Sequence, residues 1–148
     1  MALLSPADQQ TLRESFAAMT RSVRLLFFTQ TVGCDPCLES RQILDEFPAL
    51  SDNIAIEEIN FVLEPDKAKQ YGIDRVPALA VLGQDDRGAE RDSNIRFLGT
   101  PAGYEFMSLV QALLLVGGGG AGTLSEENLA RIAVVDKPVV MQVFTTPT

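Results

Sequence analysis

The chain has 148 residues, 46% hydrophobic and 22% charged, which suits one folded unit with a real core and argues against global disorder. Twelve Lys and Arg face twenty Asp and Glu, a net charge of −8 with no basic run, so a nucleic-acid partner is not expected. There is no His, which removes imidazole nucleophile activation, His metal ligation and His general-base chemistry.

Ser5-Pro6-Ala7-Asp8 predicts a helix start, with a Ser cap, Pro at the first helical position and an acid in the first turn. Leu12, Phe16 and Met19 follow at helical spacing. Val23 to Thr29 is a short run of Val, Leu and Phe that predicts a buried strand, broken by Gly33. A second helix is predicted from about Asp35 to Phe47, with Pro36 in its first turn and Pro48 just past its end. Ile54 to Val62 predicts a strand, Glu64-Pro65-Asp66 a short helix reaching Tyr71, and Gly72 its cap. Ala78 to Leu82 is an apolar strand, the polar stretch Gly83 to Asn94 a turn region, and Ile95 to Leu98 a returning strand. Thr100-Pro101 predicts the start of a long helix on which Phe106, Leu109, Val110, Leu113 and Leu114 form one apolar stripe.

The apolar stretch that comes nearest to a membrane span, Leu109 to Val116, is far short of the roughly 20 residues a bilayer requires, so no membrane association is expected. Met1 to Pro6 has neither the basic start nor the apolar core of a signal peptide, and the expected location is cytoplasmic. A cysteine pair in that compartment points to catalysis or metal binding before it points to a structural staple.

Residues 1–116 therefore form one expected unit and 117–123, rich in Gly, a flexible linker. Residues 124–148 echo the beginning of the chain. Leu124-Ser125 opens a helix as Leu4-Ser5 does, Val139 to Phe144 predicts a strand as Val23 to Phe28 does, and Thr145-Thr146-Pro147-Thr148 stands where Thr29-Gln30-Thr31 leads toward Cys34. The expectation is a second copy of the same unit, cut short before its own cysteine motif.

The chemistry is concentrated at Cys34-Asp35-Pro36-Cys37, two thiols at a strand-to-helix junction. Helical spacing puts the two on one face, where the sulfurs can bond. Cys34 stands at a helix N-terminus, whose free N–H groups and dipole favour a thiolate, the reactive species. Cys34 is then the attacking thiol and Cys37 the resolving one. Asp35 opposes this by placing a negative charge beside the sulfur. A zinc site needs about four ligands, and the chain has two cysteines and no His, so no metal is expected. No cofactor beyond the redox-active pair is expected either. Pro77 follows Cys37 by 40 positions (77 − 37) and opens an apolar strand, which suits a cis turn that leaves the Val76 backbone free to pair with an extended substrate. Arg75, next to it, is a candidate anion contact for a substrate such as glutathione.

Cys34-Asp-Pro-Cys37, Tyr71-Gly-Ile-Asp-Arg-Val-Pro-Ala78 and Phe97-Leu-Gly-Thr-Pro-Ala-Gly-Tyr-Glu-Phe106 together resemble the thioredoxin superfamily. More narrowly they resemble the protein disulfide oxidoreductases, which are tandem glutaredoxin-like proteins, and the N-terminal domain of the alkyl hydroperoxide reductase flavoprotein subunit. The resemblance implies an α/β thioredoxin-like fold, a mixed four-stranded sheet with helices on both faces, and a cis peptide between Val76 and Pro77. It implies a thiol–disulfide oxidoreductase of cell redox homeostasis acting on protein thiols and disulfides. The implied partners are a flavoprotein donor like thioredoxin reductase and a peroxiredoxin. The alternatives are a dedicated electron carrier between a flavoprotein and a peroxidase, or a non-catalytic peptide-binding module using the groove near Pro77. Family members carry a second CxxC, often Cys-Pro-Tyr-Cys, after a segment like Val143 to Thr148. Thioredoxins also hold a buried acid six residues before the first cysteine, where this chain has Phe28 (34 − 6). Glu57 and Glu58 are candidate substitutes as a proton relay: a strand covered on both faces would bury one of them and raise its pKa.

Overall fold

The computed structural model describes residues 3–120 and 122–146. In chain order the elements are α1 (Pro6–Phe16), β1 (Val23–Thr29), α2 (Asp35–Leu44), a single 3-10 turn (Phe47–Ala49), β2 (Ile54–Asn60), α3 (Pro65–Gln70), β3 (Ala78–Gln84), β4 (Glu90–Leu98), α4 (Tyr104–Val116) and α5 (Glu126–Ala133). The strands form one sheet in the order β2-β1-β3-β4, with β1 and β2 parallel and the other pairs antiparallel. This is the expected mixed four-stranded sheet.

Two apolar layers flank the sheet. Val23, Leu25 and Phe27 of β1 alternate toward one face, where Leu79 and Val81 of β3 join Leu12 and Phe16 of α1, Leu44 of α2 and Leu109, Val110 and Leu113 of α4. Leu26 and Phe28 point to the other face, against Ile59, Ala78, Ala80, Leu82 and Ala68 of α3. β1 therefore reads as a continuous apolar run from Leu25 to Phe28, where both of its faces are covered. The stripe predicted on the long helix is the surface that α4 buries.

Ser5 caps α1 as expected, its Oγ accepting from the Asp8 N–H at 3.2 Å, and Gly72 follows α3 with φ +67°. Several boundaries differ from expectation. α2 stops at Leu44, and Phe47 to Ala49 turn separately around Pro48. β2 ends at Asn60, two residues short of Val62. β3 runs on to Gln84 and β4 starts at Glu90, so only residues 85–89 of the polar stretch assigned to a turn lie outside strands. β4 lies at the sheet edge, where polar side chains face water. A bulge between Val81 and Leu82 of β3 leaves Ser93 and Asn94 of β4 out of register, with Asn94 at φ +61° and Ser93 Oγ donating to the Val81 carbonyl at 2.6 Å.

Two larger corrections concern residues 117–148. Gly117 to Gly119 are not a free linker but a docked corner. The amides of Thr20 and Arg21 donate to the Gly117 carbonyl at 2.9 and 3.0 Å, and a Cβ on Gly119 would stand 2.9 Å from the Ala18 carbonyl carbon and the Met19 nitrogen. The glycines are there for close backbone approach. Gly119→Ala is expected to lower unfolding free energy by about 1–3 kcal/mol, because backbone must move. Gly122→Ala, with nothing within 4 Å, should be close to neutral; paired urea melts check this. The second correction is that Val139 to Phe144 form no strand and are exposed. The apolar run lacks a partner sheet, without which strand hydrogen bonds cannot form. α5 forms under its Ser125 cap as expected but buries none of its residues. Pro147 and Thr148 lie outside the described residues.

Candidate active site

Sheet register gathers the site. Phe28 pairs with Ala78, and Ala78 with Leu98. The segments just beyond these three residues, leading to Cys34, to Pro77 and to Gly99, therefore converge at one end of the sheet. Gly33, at φ +75°, turns the chain out of β1 and into α2.

Cys34 is the N-cap of α2 and is half-buried, whereas Cys37, in the first turn, is only 3% exposed. The two are joined in a disulfide with their Cα atoms 5.4 Å apart. No side chain caps this helix end, and Asp35 and Pro36 complete its first turn. The positive end of the helix dipole thus lies at the more accessible cysteine, an environment that favours an anion there on reduction. Cys34 is the more accessible of the two residues and Cys37 the shielded one.

The Val76–Pro77 peptide is cis, as expected. The Pro77 carbonyl accepts from the Gly99 N–H at 2.9 Å. The next residue, Thr100, reaches the cysteine helix: its hydroxyl donates to the Pro36 carbonyl at 3.3 Å. Ser40, fully buried, donates to the same carbonyl at 2.8 Å, and the two hydroxyl oxygens are 3.1 Å apart. Thr100 is thus not the start of α4, which begins at Tyr104 after Gly103; it joins the cysteine helix to the loop that holds Pro77. Sequence reading passed over Ser40. The available signal was its position three residues after Cys37, on the same helical face.

Arg75 is exposed and donates to Asp74 at 2.7 and 3.0 Å, so its charge is already balanced by its neighbour. The two glutamates do not have the environment a proton relay requires. β2 is an edge strand, and Glu57 and Glu58 are partly solvated and ion-paired, Glu57 with Arg24 and Lys67 and Glu58 with Arg41. The hydrogen bond from Lys67, at 2.6 Å, and then the Arg24 charge hold the Glu57 carboxyl below the ordinary range, opposite to the rise expected from burial. In the β1–β2 register the residue opposite Phe28 is Ile59, so no carboxylate fills that place.

Because the Glu57 pKa is lowered by folding, its stabilisation is complete at neutral pH and is lost as the pH falls through the folded-state value. Glu57→Gln is expected to lower the thermal midpoint slightly at pH 7, since the pair is partly exposed, with the gap closing as acid protonates the wild-type carboxylate. Melts across an acid series check this; a gap that widens in acid would reverse the assignment.

Among the described residues no cluster of three or more His, Cys, Asp or Glu could hold a metal ion, and no helix is long and apolar enough to cross a membrane. No family model and no curated protein matches the chain. Among solved structures it is similar to the N-terminal domain of the alkylhydroperoxide reductase AhpF from Enterococcus faecalis, at 32% identity and a TM-score of 0.77 over 90% of this chain and 62% of that one. A mutant AhpF subunit from the same organism matches at 32% identity and a TM-score of 0.76, again over 90% and 62%. A protein disulfide oxidoreductase from Aeropyrum pernix K1 shares the fold, with a TM-score of 0.71 at 21% identity over 88% and 54%. The chain thus spans 62% of the two AhpF structures and 54% of the third. With the bonded cysteine pair at the mouth of α2 and the cis proline at the same end of the sheet, these likenesses give the chain a thioredoxin-like fold.

Proposed function

We propose that the chain is a thiol–disulfide oxidoreductase whose working parts are Cys34 and Cys37. The observation that carries this reading is the bonded pair at an uncapped helix N-terminus, with one sulfur accessible and one buried. In the reducing direction the Cys34 thiolate attacks one sulfur of a substrate disulfide, and the other substrate sulfur leaves as a thiolate that takes up a proton. Cys37, losing its proton, then attacks the Cys34 sulfur and expels the second substrate thiol. Two electrons pass from the pair to the substrate, and a reductant must restore the dithiol. Val76 and Pro77 line the approach, where an extended substrate would lie along the Val76 backbone. Arg75 adds at most a weak, Asp74-compensated contact.

The natural substrates are taken to be protein thiols and disulfides in the cytoplasm, with a flavoprotein donor and a place in redox homeostasis. The 32% identity with AhpF favours a second, narrower reading: a carrier between a flavoprotein reductase and a peroxidase such as a peroxiredoxin. Reduction of insulin by the chain with dithiothreitol as electron source tests the first reading. Catalysis above background is expected and should vanish in Cys34→Ser. A wild-type rate equal to background in insulin assays, together with full activity toward a peroxiredoxin, would favour the narrow carrier. No exchange with either would overturn both.

The segment 124–148 is read as the opening of a second unit of the same kind. The Ser125 cap repeats the Ser5 cap, and the exposed run Val139 to Phe144 has the composition of a core strand. Burial of Val140 and Phe144 in a longer chain, read by labelling of single-cysteine variants built on a Cys34→Ser, Cys37→Ser background, tests this.

A further inference from the structure

Among the described residues the buried polar side chains are Thr29 and Ser40, and a buried hydroxyl is kept only where it is bonded. Ser40 meets that requirement at an unusual place. It and Thr100, from a different element, converge on one carbonyl, that of Pro36, at 2.8 and 3.3 Å. That oxygen belongs to the same peptide unit as the Cys37 N–H, which in turn donates to the Cys34 carbonyl at 3.2 Å. Hydrogen bonds at a carbonyl oxygen draw electron density through the peptide unit and make its N–H a stronger donor. Here the strengthened N–H lies in the first turn of α2 and is bonded to the carbonyl of Cys34, the residue whose sulfur becomes anionic on reduction.

We propose that Ser40 and Thr100 are positioning residues that set the oxidation equilibrium of the Cys34–Cys37 pair, by fixing and polarising the Pro36–Cys37 peptide from behind. The inference rests on the exchange activity proposed above. This hydroxyl pair ties the CxxC turn to the segment that follows β4. Thr100 also follows Gly99, whose amide holds the Pro77 carbonyl at 2.9 Å, so one two-residue segment fixes both halves of the site.

Loss of either hydroxyl weakens stabilisation of the thiolate, which belongs to the reduced form. The equilibrium with glutathione, in which the dithiol and one oxidised glutathione give the intramolecular disulfide and two reduced glutathiones, then moves toward the disulfide. A hydrogen bond's net contribution corresponds to a shift of roughly fivefold in that constant.

The test is equilibration of the full chain in graded glutathione buffers, with the reduced fraction read by alkylation and gel shift, alongside a thiolate absorbance titration of Cys34. Thr100→Val, at a half-buried position, and Ser40→Ala are each expected to move the constant roughly fivefold toward the disulfide and to raise the Cys34 titration midpoint. Thr100→Ser, which keeps the hydroxyl, is expected to restore wild-type values. Unchanged equilibria in folded Thr100→Val and Ser40→Ala would overturn the proposal, as would a shift toward the dithiol or a Thr100→Ser variant that behaves like Thr100→Val. A wild-type chain that does not equilibrate with glutathione at all is a separate result: it removes the exchange activity itself and this inference with it.

Discussion

Replacing Cys37 with serine is expected to turn the chain into a trap: incubated with a disulfide substrate, it accumulates a covalent adduct through Cys34, and turnover falls to background. Cys34 is the half-buried sulfur at the N-cap of α2, while Cys37 is 3% exposed within the first turn. A substrate too large to enter the interior therefore meets Cys34 first. Release of the second product requires attack on the Cys34 sulfur from inside, and a serine hydroxyl, with a far higher pKa than a thiol, does not make that attack near neutrality. Non-reducing gels should show the adduct with Cys37→Ser and none with Cys34→Ser, and dithiothreitol should release it. The opposite pattern would exchange the two roles. The substitutions are close in volume, so the comparison does not depend on repacking.

Phe28→Ala is expected to cost about 3–5 kcal/mol of folding free energy, the largest stability effect foreseen for a side chain adjacent to the site. The Phe28 ring is fully buried among Leu26, Ile59, Ala78, Ala80 and Leu82, and is tilted against Tyr71 with ring centres 6.2 Å apart. Small neighbours at Ala78 and Ala80 cannot expand into the void, so the truncation leaves a cavity. Val62→Ala, at a 65% exposed turn position, should stay within about 0.5 kcal/mol of wild type. Urea titrations of the two variants give both numbers, and a Phe28→Ala loss below about 1 kcal/mol would mean that this layer of the core relaxes far more freely than its packing indicates.

The parts of this fold that were legible in the sequence are those where one local rule and the tertiary outcome agree. β1 declared itself because Leu25 to Phe28, covered on both faces, are all apolar. The cap at Ser5 and the turn at Gly72 follow from backbone chemistry alone. The cysteine motif combined spacing with strand-to-helix context, and the cis proline was legible only together with that motif. What sequence reading missed depended on partners distant in the chain. β4 was hidden by its polar edge and its bulge, and Gly117 to Gly119 read as loose because nothing local reveals the backbone of Ala18 and Met19 pressed against them. Val139 to Phe144 failed in the opposite sense: strand composition without a sheet to receive it gives no strand. Glu57 and Glu58 were misplaced because strand alternation says which residues share a face, not whether that face lies at an edge beside Arg24, Lys67 and Arg41. Ser40 and Thr100 are separated by 60 positions, and no periodicity joins them.

The docked glycine corner has a geometric consequence. It grips residues that precede β1, whereas the sulfurs follow the far end of that strand, and seven extended residues between them amount to about 20 Å. The corner therefore sits at the pole opposite the chemistry. From that pole the chain runs back along the molecule, and the Thr145 hydroxyl donates to the Glu105 carboxylate in the first turn of α4, at the end of that helix nearer the cysteines.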